Sequence, residues 1–443
     1  MSATQLPSEH YACLLANGQA DLIGQDLDWL KRLRLKASEE FSGAGFPSLR
    51  DEEWRYTNIS PIENRQFTLA DKAGKVDGAF LSDVLLDGCH HLVFVDGYFQ
   101  AEHSCIEGFS KGVIVSTIST GISEHEGLIR SLFDSVVEAP TSGFTNLNTA
   151  LFTDGAVISI EQNVSIEKPI QLAFISSKEG ALTLSNSRNL ILAKAGSKAT
   201  IIETFHGAKA TSYLTNVITE VVVEPNASLS HSRLQAESLQ AYHVGGVYTR
   251  LDSNAIFKQY NYTFGAALSR CEVHTVLGTA AGCDLDGLFI SQDEQHMDNH
   301  TRVNHAHPHA VSNEFYKGIL GGKSKGVFQG RIIVAEDAQK TDAKMSNRNL
   351  LLSDRAEIDS KPQLEIYADD VKCAHGVTVG QLDNAAIFYL RSRGASEQMA
   401  KDMLTFAFAN EMVDRVEFNP LKIKVLEEII KRFPQKGMKI EWL

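Results

Sequence analysis

Cysteine is sparse in this chain, and no two cysteines stand close together. Cys13, Cys89, Cys105, Cys271, Cys283 and Cys373 are spread over 443 residues, which excludes the dense disulfide framework of a small secreted domain and predicts free thiols. No CxxC pair occurs, so neither a zinc ribbon nor a ferredoxin-type cluster with four local cysteines can form. Any metal site has to be shared or built by tertiary folding. The formal charge is -13 and no block of Lys or Arg is present, which argues against nucleic acid or an anionic membrane surface as the main partner. No stretch approaches the length of a transmembrane helix, and the opening MSATQLPSEHYACLLANGQ lacks the charged and apolar regions of a signal peptide. These absences predict a cytoplasmic protein. A G-x-S-x-G elbow and an H-E-x-x-H helix are also missing, which leaves hydrolase and zinc-peptidase readings without support.

Apolar residues make up 43% of the chain, enough for a sizeable core distributed over two or three structural units. Leu30, Leu33, Ala37 and Phe41 fall at helical spacing in DWLKRLRLKASEEF, and GAGFP ends that run. The texture then changes. HHLVFVDGYFQ and GAVISIEQNVSIEKPIQLAFIS alternate apolar and polar residues between turn signals, as strands do. An apolar triplet, a polar or small turn and another alternating run recur as LILAKAGSKATII, VVVEPNASLSHS, HTVLGTAAGCDL, RIIVAEDAQKTDA and NLLLSDRAEIDS, at uneven spacing. Strands without intervening helices fit a sandwich, a barrel or a parallel β-helix. Small residues and Asn at the turns, without an Asn-Gly hairpin signal, favour the last.

Helix returns near the C-terminus. Ser396 can cap a segment carrying Met399, Met403, Leu404, Ala407 and Phe408. Asn419 and Pro420 break it, and Leu421, Val425, Ile429 and Phe433 then recur at steps of four up to Pro434. Two helices are too thin to bury much surface alone. They pack on the β region or offer an apolar face to another protein.

Four constellations can carry chemistry. In DDVKCAHG, Cys373 and His375 stand two residues apart beside Asp369 and Asp370, so a strand would aim both to one face. A thiol and an imidazole so placed can hold a soft metal or a sulfur species, with the His favouring the thiolate, or they can be a packed Cys and a core His. In HMDNHTRVNHAHPHAVSNE an extended strand would align His305, His307 and His309, with His296 and His300 upstream, as in a metal-binding tract, although Pro308 marks a bulge or an edge. GILGGKSKG fails as a phosphate loop because Lys317 takes the first Gly position and strand-like GVFQGRIIV comes after it; a Gly-rich turn between strands explains it. Asp342, Asp354, Glu357, Asp359, Glu365, Asp369 and Asp370 leave open a β-helical carbohydrate-active enzyme, but few Trp or Tyr accompany them to bind sugar.

The long string KTDAKMSNRNLLLSDRAEIDSKPQLEIYADDVKCAHGVTVGQLDNAAIFYLRSRG resembles the SufB/SufD family of iron-sulfur cluster assembly proteins, in the form carried by its SufD branch. HPHAVSNEFYKGIL, FQGRIIV and, near the N-terminus, GFPSLRDEEWRYTNI fit the same family, with the weakest likeness between 65 and 140. The resemblance implies a mainly β protein: a right-handed parallel β-helix over 141–385, flanked by a helix-rich unit with a few strands over 1–140 and a helical unit over 386–443. It implies a non-catalytic scaffold that pairs with SufB through exposed β-helix strands and docks the SufC ATPase through Met399, Met403, Leu404 and Phe408. It further implies that His375 and Cys373 line a composite site with SufB, where iron or sulfur is handled. The chain alone would hold no stable cofactor. An iron-sulfur cluster would pass transiently through the complex, and a flavin is a further candidate cofactor of that complex. The rivals are a carbohydrate-active enzyme, a stand-alone metal-binding protein and the SufB paralogue, and an exposed edge also offers pairing with a second copy.

Overall fold

The structure, a computed structural model, describes residues 7–18, 22–109, 111–137, 142–177 and 182–434. The unit boundary expected at 140/141 and the segment 435–443 lie outside them. The body is a parallel β-helix. Strands Thr183–Ala193, Leu214–Val223, Tyr242–Leu251, Leu268–Leu277, His296–His305, Lys325–Val334 and Glu357–Ile366 pair in that order in one sheet, here the first sheet. The strands that alternate with them along the chain, from Lys198–Gly207 to Lys372–Gly380, pair in order in the second sheet. Each turn of the coil thus gives one strand to each sheet, and a parallel sheet needs no crossover helix because the opposite sheet is the crossover.

The uneven spacing of the sequence pattern is the uneven length of these turns. Lys198, Ser228, Ile256, Gly282, Val311, Asp342 and Lys372 stack in register, so a turn takes 26 residues from Ile256 to Gly282 and 31 from Val311 to Asp342. The corner between the sheets is conserved in shape instead. Gly196, Asn226, Asn254, Ala280, His309 and Lys340 all occupy it in the left-handed region, with φ from 56° at Ala280 to 69° at Gly196. Gly and Asn tolerate that conformation at least cost. The backbone N–H of each corner residue donates to the corner one turn on, as from Asn226 to Ser253 and from Ala280 to Pro308. Four of the five copies read in the sequence are this corner; NLLLSDRAEIDS is the opposite one.

Between the sheets lies an apolar core that includes Ile158, Ile201, Val221, Leu229, Val247, Phe257, Val273, Leu285, Val303 and Phe328, each worth roughly 1.5–3 kcal/mol on burial. In-register Phe94, Phe174 and Phe205 stack at centroid distances of 5.1 Å. Their end of the coil is closed. His90–Val95 extends the second sheet and turns at Asp96–Gly97 into Tyr98–Phe99, while Val113–Thr117 runs antiparallel to Ala156–Ile160. Helix Asp28–Ala44 buries Leu30, Ala37 and Phe41 as its spacing predicts, and also Arg34, which donates to the carbonyls of Ala150 at 2.9 Å and Phe152 at 3.2 Å.

Among the described residues three helices rather than two come after the coil: Asn384–Ser392, Glu397–Val413 and Asn419–Arg432. Ser396 caps the second, its hydroxyl accepting from the Met399 N–H. Phe406, Ala409, Met412 and Val413, with Leu421, Val425 and Ile429, pack on Ile202, Leu234, Tyr262, Leu288 and Ile319 of the second sheet's outer face. Both alternatives for these helices are therefore in play: one face packs on the β region and another is left over.

Candidate functional site

Cys373 and His375 lie on the last strand of the coil, Lys372–Gly380, which among the described residues pairs only with Asp342–Leu351. Alternation decides where they point. Ala199, Leu229, Phe257, Cys283, Ser312, Ala343 and Cys373 form one column, and Ile201, His231, Gln259, Leu285, Glu314, Met345 and His375 the column beside it. Both columns run through the interior, since Ala199, Ile201, Leu229, Phe257, Leu285, Ala343 and Met345 belong to the core and Cys373 packs against it. The structure thus brings the two predicted residues to one face, the lumen side of an uncovered final turn. His375 is exposed because no further turn covers it.

Burial pushes the Cys373 thiol above its ordinary range. The expectation that the neighbouring His favours a thiolate is therefore not met in the isolated chain: desolvation of the sulfur, partly offset by the Ala343 backbone, sets the direction. Asp370 is spent on the corner, where its carbonyl accepts from the Lys340 N–H and its carboxylate pairs with Lys340. Behind His375 the Met345 thioether fills the space a side chain at Gly330 would need. One turn deeper, burial raises the Glu314 carboxyl to about 7.

The rim of this end is apolar and uncovered. Ile366, Tyr367, Val377 and Val379 are exposed, as are Phe388 and Tyr389 on the next helix. Tyr367 is 63% and Phe388 73% exposed, where ordinary monomers scatter such residues singly. Two strands with one unpaired edge each, bearing apolar residues, form a template for another chain. The residues expected to dock a partner on the C-terminal helix divide. Met403 is exposed, Met399 and Leu404 are partly so, and Phe408 leans on the core while the Lys317 ammonium lies 4.2 Å over its ring.

The histidine row is not a metal tract. The strand His296–His305 ends at His305, whose ring turns inward to Ser312 Oγ at 2.8 Å, while His307 and His309 are exposed on the next corner. The row is another copy of the corner motif, so the extended strand that would align the three imidazoles does not exist. Upstream, His296, Asp298 and His300 do share the outer face of the first sheet, but a guanidinium holds the place of a cation. Arg270 Nη1 donates to Asp298 at 2.6 Å, Asp298 Oδ1 lies 2.9 Å from His300 Nε2, and Thr57 Oγ1 donates to Asp298 at 2.5 Å and touches His296 at 2.9 Å. Among the described residues no group of three or more His, Cys, Asp or Glu is arranged to hold a metal ion. The glycine-rich segment is a turn between strands, as expected, with Gly322 in the left-handed region. The acids of the carbohydrate-enzyme reading are dispersed: Glu357 pairs with Lys325, Glu365 with Arg331, Asp342 with Lys344 and Asp370 with Lys340.

One interior cluster carries no signal in the sequence. Arg233 is 2% exposed; its Nη1 donates to Cys271 Sγ at 2.9 Å, its Nε lies 3.0 Å from Glu203, and its Nη2 lies 3.3 Å from His243, which meets Glu237 at 2.8 Å. Burial alone would raise the Glu203 carboxyl, but His231 and Arg233 outweigh it and hold it down at about 2. Charged residues at inward positions look like solvated ones in a sequence; only the register places them inside.

Comparison with known proteins agrees with this architecture. Residues 174–408 match the family described as "SUF system FeS cluster assembly, SufBD core domain", and residues 6–172 match "SufBD protein N-terminal region". The chain is 33% identical over 396 residues to the iron-sulfur cluster assembly protein SufD of Escherichia coli, covering 88% of this chain and 90% of that one. It is 31% identical over 419 residues to an iron-sulfur cluster assembly SufBD family protein of Synechocystis, covering 91% of each. Against the SufD of Bacillus subtilis it is 25% identical over 421 residues, covering 92% of this chain and 94% of that one.

Proposed function

This chain belongs to the SufBD family of iron-sulfur cluster assembly proteins, and we propose on that premise that it is a SufD-type, non-catalytic scaffold that completes a composite site with SufB and docks the SufC ATPase. The observation that carries the reading is the open final turn: a chain that closes one end of its coil leaves the other uncovered, apolar and headed by an inward Cys373–His375 pair. SufB, a related coil, would add its own strands to Glu357–Ile366 and Lys372–Gly380 and cover the pair. His375 is the stronger ligand candidate for transient iron or cluster cargo, because it is exposed and an imidazole nitrogen is a common metal ligand. Cys373 joins it once a metal withdraws its proton. Met403, with Met399 and Leu404 beside it, supplies the leftover helix face to SufC, an adaptable thioether surface of the kind that suits a shared interface. Relatives named SufD support that branch over SufB.

Coexpression of the full chain with its cognate SufB and SufC tests this. All three should co-elute, Val379→Lys should release SufB, and Met399→Glu with Met403→Glu should release SufC alone. Deleting the C-terminal helices is the poorer test, because it strips the second sheet of its cover. A chain that elutes alone at every salt concentration contradicts the proposal.

A further inference from the structure

Residues 45–58 cross the outer face of the first sheet as a strap. Trp54, 4% exposed, anchors it: its ring stacks on Phe144 at 5.3 Å, and the Arg270 guanidinium lies 3.7 Å over its face while donating to the Glu53 carbonyl at 2.9 Å. Thr57 ties the other end to Asp298 and His296. Between Gly45 and Trp54 the strap spans a cavity of about 500 Å³, so its contacts are discrete. Three of them run toward the open end. Glu53 accepts from Gln329 Nε2 at 2.8 Å and lies 3.6 Å from Arg331, whose Nε donates to Glu365 at 2.6 Å. Glu52 accepts from Lys361 Nζ at 2.6 Å. Lys361 and Glu365 belong to the terminal strand Glu357–Ile366, which has one ladder partner among the described residues, Lys325–Val334, and is incompletely buried along its length.

We infer that the strap positions this terminal strand, with Glu52 and Glu53 as positioning residues, so that the N-terminal unit sets the edge offered at the open end. An isolated exposed ion pair adds little because it must first order two long side chains. Here the strap backbone is already fixed by a buried tryptophan, and the carboxylates meet residues held in register by the ladder. Among the described residues the strand has no second neighbour in the sheet to fix it, and the strap supplies that constraint from the face. The consequence for a partner rests on the reading of this end as the SufB surface; the positioning itself does not.

Amide hydrogen exchange on the isolated full chain reads the positioning directly. Glu52→Gln with Glu53→Gln should speed exchange over 357–366 by about 3- to 10-fold and leave 242–251 unchanged. Lys361→Glu should reproduce part of the effect, and Lys361→Glu combined with Glu52→Lys should restore protection, which a merely destabilised strap would not do. Unchanged exchange over 357–366 in folded variants overturns the inference. Faster exchange there with undiminished SufB binding upholds the positioning and removes the partner role of that strand.

Discussion

The two ends of the coil are finished in opposite ways. At the first, a hairpin and an antiparallel strand extend the two sheets, and the helices around Leu30 and Phe152 pack on the outer face of the first sheet. At the last, Glu357–Ile366 and Lys372–Gly380 each keep an edge unpaired among the described residues, and Tyr367, Val377 and Val379 are exposed. The same strand grammar built both, so the difference lies in the segments that flank the coil. After Gly380 the chain leaves as a helix, Asn384–Ser392, that does not fold back over the end and exposes Phe388 and Tyr389 itself. Among the described residues several elements close one end and none closes the other, which is the feature that supports a partner at the second.

That contrast can be broken at graded cost. Phe174→Ala, in the stacked phenylalanine column of the closed end, should destabilise the isolated chain by about 3–5 kcal/mol in urea unfolding; a small effect would mean that this end is not a packed core. Glu314→Gln comes next. The Glu314 carboxyl is raised by burial to about 7, so the folded chain keeps a proton that the unfolded chain releases near the ordinary carboxylate range. Stability is then fully present below that range and is lost as pH rises through about 7. Glu314→Gln should flatten this decline and leave the variant about 2–3 kcal/mol more stable than the parent at pH 8. Parallel pH profiles for the two chains would contradict that assignment. Val379→Lys at the open rim should weaken SufB binding about 30-fold while shifting the isolated chain's stability within about 0.5 kcal/mol, the reverse of the closed-end result. The smallest structural effect belongs to Cys373→Ser and His375→Ala. Each should also stay within about 0.5 kcal/mol and lower cluster assembly in the reconstituted complex; a large loss of stability would mark the pair as packing residues.

Much of this is legible in the sequence, because local chemistry writes it there. Helical spacing at Leu30, Ala37 and Phe41, the Ser396 cap, and the four-residue steps from Leu421 to Phe433 appear in the structure as expected. The small and Asn residues at the corners reflect a left-handed conformation repeated turn after turn. Alternation alone puts Cys373 and His375 on one face. The features that escape depend on register across distant residues. His305, His307 and His309 look like a strand until the ladder shows His309 in the position of Asn226 and Asn254. Arg34, Arg233 and Glu203 carry charge at buried positions whose partners lie elsewhere in the sequence. Glu52 meets Lys361 across most of the chain, and no local pattern announces such a contact. The helix Asn384–Ser392 escapes a periodicity reading because its large apolar residues Phe388 and Tyr389 face water rather than a core.

The open end is the proposed partner surface. Amide hydrogen exchange of the chain, alone and mixed with its cognate SufB, measures this with residue resolution. Slowed exchange concentrated over 357–366 and 372–380, with the closed-end strands 90–95 and 113–117 unchanged, is the predicted footprint. Binding that leaves both terminal strands exchanging as they do in the isolated chain would contradict it.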